Sequence, residues 1–221
     1  MLDSDSMLKT DQVREIFLQP GEHFFGGRET RIHTVLGSCV SLVFWHPQMQ
    51  MGGMCHYMLP GRPHGPAMVL DGRYADEAVE LMLGEMRAHG AQPLREYQVK
   101  MFGGGNMFPF ISRSDGDHIG SKNVLAAREI LRRHDLDCVS EHVEGTGHRN
   151  LTFYVCNGQV ALKHRPFGRS GAANGDVPDI HSVTLRNKGV SSVFRSQYTP
   201  GSPIDTSAYD PLNVPGGRFR K

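Results

Sequence analysis

The sequence predicts an α+β fold, a mixed sandwich in a single domain where strands outnumber helices. Two segments, 74–89 and 121–134, carry apolar residues at helical spacing. The stretches around them are short, rich in β-branched and aromatic residues, and separated by turn residues. After Arg165 the texture changes to many Gly, Pro, Ser and Asn with few large apolar residues. Residues 165–221 therefore cannot bury enough surface to offset the entropy of ordering, and a mostly disordered tail is expected there. Residues 1–12 are polar and expected to be flexible, which leaves about 150 residues, 13–164, for the folded domain.

Residues 13–25 hold two short apolar pieces around Pro20-Gly21, read as two strands and a turn. Ile32–Leu36 and Val40–Trp45 are predicted strands, with a turn at His46–Met49 and a returning strand from Gly53 to Met58. In the helix over 74–89, Ala75, Ala78, Val79, Met82 and Met86 share one face; Asp71 or Asp76 helps its start and Gly90 stops it. Tyr97–Phe102 reads as a strand running into Gly103-Gly104-Gly105. The second helix buries Val124, Ala127, Ile130 and Leu131, with Ser121 as the expected N-cap. Leu136–Val143 is a strand, and Leu151–Cys156 and Gln159–His164 flank Asn157-Gly158, a strong hairpin signal.

Composition narrows the function classes. A formal net charge of +1 over 221 residues gives no push toward nucleic acid or acidic lipid. No run approaches the roughly 18 apolar residues of a bilayer span, so membrane insertion is not expected. The acidic start Met1-Leu2-Asp3-Ser4-Asp5 lacks an apolar signal core, and a cytoplasmic protein is the default reading. Cysteines stand at 39, 55, 138 and 156 without a Cys-x-x-Cys pair, so free thiols are expected rather than a disulfide framework.

Chemistry concentrates in residues 34–60. Cys39 follows a Gly-Ser turn and His56 comes 17 residues later. A thiol beside an imidazole makes a nucleophile and its base. If the intervening hairpin turns between Pro47 and Gln48, residues whose numbers sum to 95 oppose each other, and Cys39 faces His56 on one side of the ladder. The Gly37-Ser38-Cys39 turn can present backbone amides to a developing oxyanion. The plain alternative is that Cys39 is a small buried hydrophobe. A zinc site from His33, Cys39, Cys55 and His56 has suitable ligand types, but strand alternation sends Cys55 and His56 to opposite faces. Phe102-Gly103-Gly104-Gly105-Asn106 lacks the Lys-Ser/Thr of a phosphate loop and reads as a turn or a wall of the site.

Several separated motifs then appear in order: Leu-Gly-Ser-Cys-Val at 36–40, Gly-Gly-Met-Cys-His-Tyr-Met-Leu-Pro at 52–60, Lys-Met-Phe-Gly-Gly-Gly-Asn-Met at 100–107, Ile-Gly-Ser-Lys-Asn at 119–123 and Gly-Thr-Gly-His-Arg-Asn at 145–150. Through them the chain resembles the CheD family of chemoreceptor glutamine deamidases over roughly residues 13–164. The resemblance implies an α/β/β sandwich, catalytic Cys39 and His56, oxyanion contacts from Gly37 and Ser38, and neither cofactor nor metal. It implies methyl-accepting chemotaxis receptors as substrate and, in some bacteria, a CheC-type phosphatase as partner; a monomer is expected. The family's third residue is a threonine six positions before the cysteine. His33 stands at that place here and Thr34 one later. A strand sends the two to opposite faces, so one alone can serve; Thr34 is the choice and His33 its rival. The alternative function is a non-catalytic chemotaxis adaptor that binds receptors or the phosphatase.

Overall fold

The computed structural model describes residues 13–63, 68–90, 92–109 and 118–167, together with the backbone of 180–182. It contains two helices and two mixed five-stranded sheets, an α+β domain. The strands are β1 (Arg14–Phe17), β2 (His23–Gly26), β3 (Thr30–Leu36), β4 (Val40–His46), β5 (Met51–Tyr57), β6 (Gln98–Gly103), β7 (Cys138–Val143), β8 (His148–Tyr154), β9 (Gln159–Arg165) and β10 (Ile180–Ser182). The helices are α1 (Ala75–Ala88) and α2 (Ile119–Arg133). One sheet has the order β1-β3-β8-β9-β10 and the other β2-β5-β4-β6-β7.

Two apolar cores explain the burial patterns. Leu42 and Phe44 of β4, Cys55 and Tyr57 of β5 and Val99 and Met101 of β6 pack with α1 and α2. On the opposite face Val43, Trp45, Met54 and Phe102 pack with Ile32 and Leu36 of β3 and Leu151 and Phe153 of β8. Strand β4 is thus covered on both sides, and all seven of its residues are buried, as suits a segment in which only Ser41 and His46 interrupt the apolar residues. Strands β3 and β8 alternate buried and half-buried residues, as strands with one covered face do.

Several expectations are corrected in detail. The β4–β5 hairpin pairs Val40 with Tyr57 and Ser41 with His56, a sum of 97 rather than 95. The reason is a four-residue turn over 47–50 that closes with Gln50 in the left-handed region at φ 49°. A shift of two residues preserves which face each side chain takes. Helix α2 begins two residues earlier than expected: its N-cap is His118, whose Nδ1 accepts from the Ser121 amide, so Ser121 lies inside the first turn. Tyr74 occupies the N-cap position of α1 without a side-chain cap, and Asp76 with Glu77 supplies first-turn acidity instead. The β8–β9 turn spans four residues, Val155–Gly158, with Gly158 at φ 72°. The N-terminal 1–12 and most of 165–221 lie outside the described residues; within the latter, β10 pairs antiparallel with β9.

Candidate active site

The Gly37–Cys39 loop is the crossover between the two sheets. Strand β3 belongs to one sheet and β4 to the other, and only Gly37, Ser38 and Cys39 separate them. All three carbonyls of this loop are held. Gly37 O accepts from Gly105 N at 2.8 Å and Cys39 O from Gly104 N at 2.8 Å. Ser38 O accepts from Asn123 Nδ2 at 2.9 Å. In a trans peptide the following N–H points opposite to the carbonyl. Anchoring Gly37 O and Ser38 O therefore turns the Ser38 and Cys39 amides away from the clamp. The Cys39 amide comes to lie against its own sulfur, where it favours the thiolate.

The clamp itself needs glycine. Gly103 and Gly104 have φ of 112° and 68°, and a Cβ on Gly103 would collide with the Cys39 carbonyl oxygen. Behind the clamp, Gly103 O accepts from Glu144 N and Asn106 N donates to Gly145 O. Arg149, fully buried, ties this second loop down through Nη2 to the Glu144 carbonyl and through Nε to His142 Nδ1 at 2.8 Å. Asn123 links the other side: its Nδ2 also donates to Met58 O, and its own carbonyl accepts from the Tyr57 hydroxyl.

Thr34 on β3 and His56 on β5 meet between the sheets. Thr34 Oγ1 is 2.8 Å from His56 Nδ1 and donates to Leu18 O at 2.9 Å. A hydroxyl has one proton, and the Leu18 carbonyl can only accept it. Thr34 therefore accepts from His56, which places the imidazole proton on Nδ1 and leaves Nε2 as the basic nitrogen. Nε2 is buried and has no hydrogen-bond partner among the described residues. Strand parity puts it on the side of Met54, the inter-sheet core against which Cys39 also packs.

Burial sets the ionisation. It pushes the Cys39 thiol up to about 11 and the His56 imidazole down to about 4. At neutral pH the pair rests as thiol and neutral imidazole, not as an ion pair.

His33 turns to the outer face, where its Nδ1 lies 3.0 Å from Thr152 Oγ1 and its Nε2 contacts Glu15. Of the two rivals, then, it is Thr34 that touches His56. Cys55 faces the helix-side core with its Sγ 3.8 Å from Leu42 O, across the strand from His56. Cys138 is half-buried and Cys156 exposed. Among the described residues no group of three or more His, Cys, Asp or Glu side chains is placed to hold a metal ion. Sequence reasoning did not single out Asn123 or Arg149, although both lie inside the quoted motifs; nothing local shows that they bond segments 65 to 85 residues and 5 to 7 residues away, respectively. Ser41 was likewise passed over, though it is the one polar residue in the run Val40–Trp45.

The fold and site define a two-sheet α+β protein with a half-buried cysteine and a threonine-oriented histidine, the equipment of a thiol-dependent acyl-transfer enzyme. The family model described as CheD, CheD chemotactic sensory transduction, matches residues 58–164. The probable chemoreceptor glutamine deamidase CheD of Pseudomonas savastanoi pv. phaseolicola is 49% identical over 158 residues, covering 70% of this chain and 86% of that protein. The protein of the same name from Pseudomonas fluorescens is 46% identical over 165 residues, covering 73% and 91%. The probable chemoreceptor glutamine deamidase CheD 3 of Dechloromonas aromatica is 47% identical over 151 residues, covering 68% and 88%. The chain belongs to the CheD family.

Proposed function

We propose that this protein is a chemoreceptor glutamine deamidase that converts glutamine side chains of methyl-accepting receptors to glutamate by cysteine nucleophilic catalysis. Its CheD relatives are named for that activity. The observation that carries the mechanism is the hydrogen bond from His56 Nδ1 to Thr34, which leaves Nε2 unprotonated on the inter-sheet side shared with Cys39.

Cys39 Sγ attacks the carboxamide carbon while His56 Nε2 takes the thiol proton. The resting thiol is well above neutrality, so proton transfer accompanies attack rather than preceding it. The Ser38 and Cys39 amides, turned away from their anchored carbonyls, are the donors this geometry favours for the oxyanion; Gly37 contributes its carbonyl to the clamp. His56 returns the proton to the departing ammonia, and water cleaves the resulting thioester. Thr34 fills the third role.

The layering of helices, β2-β5-β4-β6-β7 and β1-β3-β8-β9-β10 read from the two cores supports the family's α/β/β sandwich. No helix among the described residues is long and apolar enough to cross a membrane, and we place the enzyme in the cytoplasm as a monomer, with a CheC-type phosphatase as partner where the organism has one. Peptide mapping of receptor by mass spectrometry, with wild type and Cys39→Ala, tests the function. Site-specific gain of glutamate by wild type alone is the expected result; equal deamidation by Cys39→Ala sinks the mechanism.

A further inference from the structure

Ser41 is fully buried, and its Oγ has no hydrogen-bond partner among the described residues. A buried hydroxyl left unpaired is disfavoured, and native folds keep one where a further group completes it. Its surroundings identify that group. Ser41 is directly opposite His56 in the β4–β5 register. His56 uses both backbone polar groups toward the β2 side, donating to Glu22 O at 2.9 Å and accepting from Gly21 N at 2.7 Å. Toward β4 the pair is therefore of the non-hydrogen-bonded kind, in which side chains stand closest. The opposite neighbour of Ser41 on the same face is Phe102, which offers no polar atom. Cys39 lies two residues earlier on the same strand path. Two buried polar atoms without a partner among the described residues, Ser41 Oγ and His56 Nε2, thus belong to directly opposed residues on one face, with Ser41 two positions along the chain from Cys39.

We propose that Ser41 and His56 together hold the hydrolytic water that resolves the thioester, a role that rests on the deamidase reading above. In that step His56 Nε2 takes a proton from the water as its oxygen bonds to the acyl carbon. The carbon–sulfur bond breaks, the receptor leaves with a carboxyl group, and the proton passes from His56 to the Cys39 sulfur. Ser41 fixes the water's second position, which His56 alone cannot do. Acylation needs no such water, since the incoming carboxamide occupies the place and ammonia leaves on the proton of the thiol.

The two half-reactions report separately: ammonia is released on acylation and glutamate appears on deacylation. Full-length wild type, Ser41→Ala and Ser41→Thr are mixed with a purified chemoreceptor cytoplasmic fragment, and ammonia, glutamate and the Cys39–receptor conjugate are followed by rapid quench and mass spectrometry. For Ser41→Ala we expect a stoichiometric ammonia burst, accumulation of the conjugate, and steady-state turnover lower on the order of tenfold, the loss of about one hydrogen bond to the water. Hydroxylamine, which attacks the thioester without the water site, restores turnover as receptor hydroxamate. Ser41→Thr, which keeps the hydroxyl, deacylates faster than Ser41→Ala. Wild-type turnover by Ser41→Ala or loss of its ammonia burst overturns the proposal. Absence of deamidation or of any Cys39 conjugate in wild type instead defeats the deamidase reading on which it stands.

Discussion

Thr34 Oγ1 lies 2.8 Å from His56 Nδ1 and joins one sheet to the other. Because the hydroxyl proton is committed to the Leu18 carbonyl 2.9 Å away, the contact selects a tautomer as well as an orientation. Thr34→Val keeps the shape but removes both bonds. Turnover on receptor is expected to fall on the order of 100-fold, the scale of a catalytic group misplaced by about 1 Å. Stability falls by roughly 1–3 kcal/mol for the buried groups left unpaired. Thr34→Ser restores most of both, measured by receptor deamidation and urea denaturation.

His56 makes stability depend on acid. Its folded pKa is lowered from 6.5 to about 4 by burial, with the Leu18 carbonyl opposing in part. Between those values the unfolded chain binds a proton that the folded chain does not. Stability is therefore intact above pH 6.5 and is lost as pH falls toward 4, by about 3 kcal/mol in all. Urea denaturation at pH 7 and pH 4.5 should show this loss in wild type and a smaller one in His56→Gln. Deamidation should fall over the acid limb as the base becomes protonated.

The four cysteines separate by reactivity and by consequence. Burial holds the Cys39 thiol near 11, and only its thiolate alkylates. Iodoacetamide at pH 7.5 should label exposed Cys156 well before Cys39. Cys156→Ala and Cys138→Ala should deamidate receptor as wild type does, whereas Cys39→Ser should lose nearly all turnover. Intact-mass spectrometry and receptor peptide mapping read both outcomes.

Asn123 anchors the Gly37–Cys39 loop from α2. Its Nδ2 serves both Ser38 O and Met58 O at 2.9 Å. Asn123→Ala frees two carbonyls, and a loss of roughly 2–3 kcal/mol is expected in urea denaturation. Turnover should fall further than the folded fraction does, since the Cys39 amide is aimed by the peptide that Ser38 O anchors.

Gly103 permits the clamp. At φ 112° and with a Cβ meeting the Cys39 carbonyl oxygen, Gly103→Ala is strained twice over. Deamidation should be largely lost, and the melting temperature should drop by several degrees, on the scale of a 1–3 kcal/mol backbone strain. Differential scanning calorimetry with the receptor assay checks both.

Much of this architecture was legible in the sequence. The helical periods place both helices, and the apolar run Val40–Trp45 marks the strand buried on both faces. What the local pattern could not carry is geometry set by distant partners. A turn of four residues closing at Gln50 moved the hairpin register by two, and no turn dipeptide announced it. Parity says that His33 and Thr34 diverge, but which one faces inward depends on how β3 packs on the second sheet. The same holds for Asn123, whose partners Ser38 and Met58 lie 85 and 65 residues away in sequence. Lys100 is buried among apolar neighbours and bonded to the Gly158 carbonyl, with its pKa lowered by burial to about 8; a charged residue in a strand gave no hint of that depth.

The three-residue crossover at Gly37–Cys39 has a final implication. Its two ends belong to separate sheets, and the imidazole and its orienting hydroxyl are likewise divided between them. On the proposed mechanism the Cys39 thiol and the His56 base are aligned by the seating of one sheet on the other, and turnover becomes a gauge of that spacing. Trimming Phe153→Leu or Ile32→Val, deep in the inter-sheet core, should lower turnover more steeply than a substitution of equal thermodynamic cost beneath α1, such as Met82→Leu. Substitutions between the sheets should then register in turnover before they register in stability.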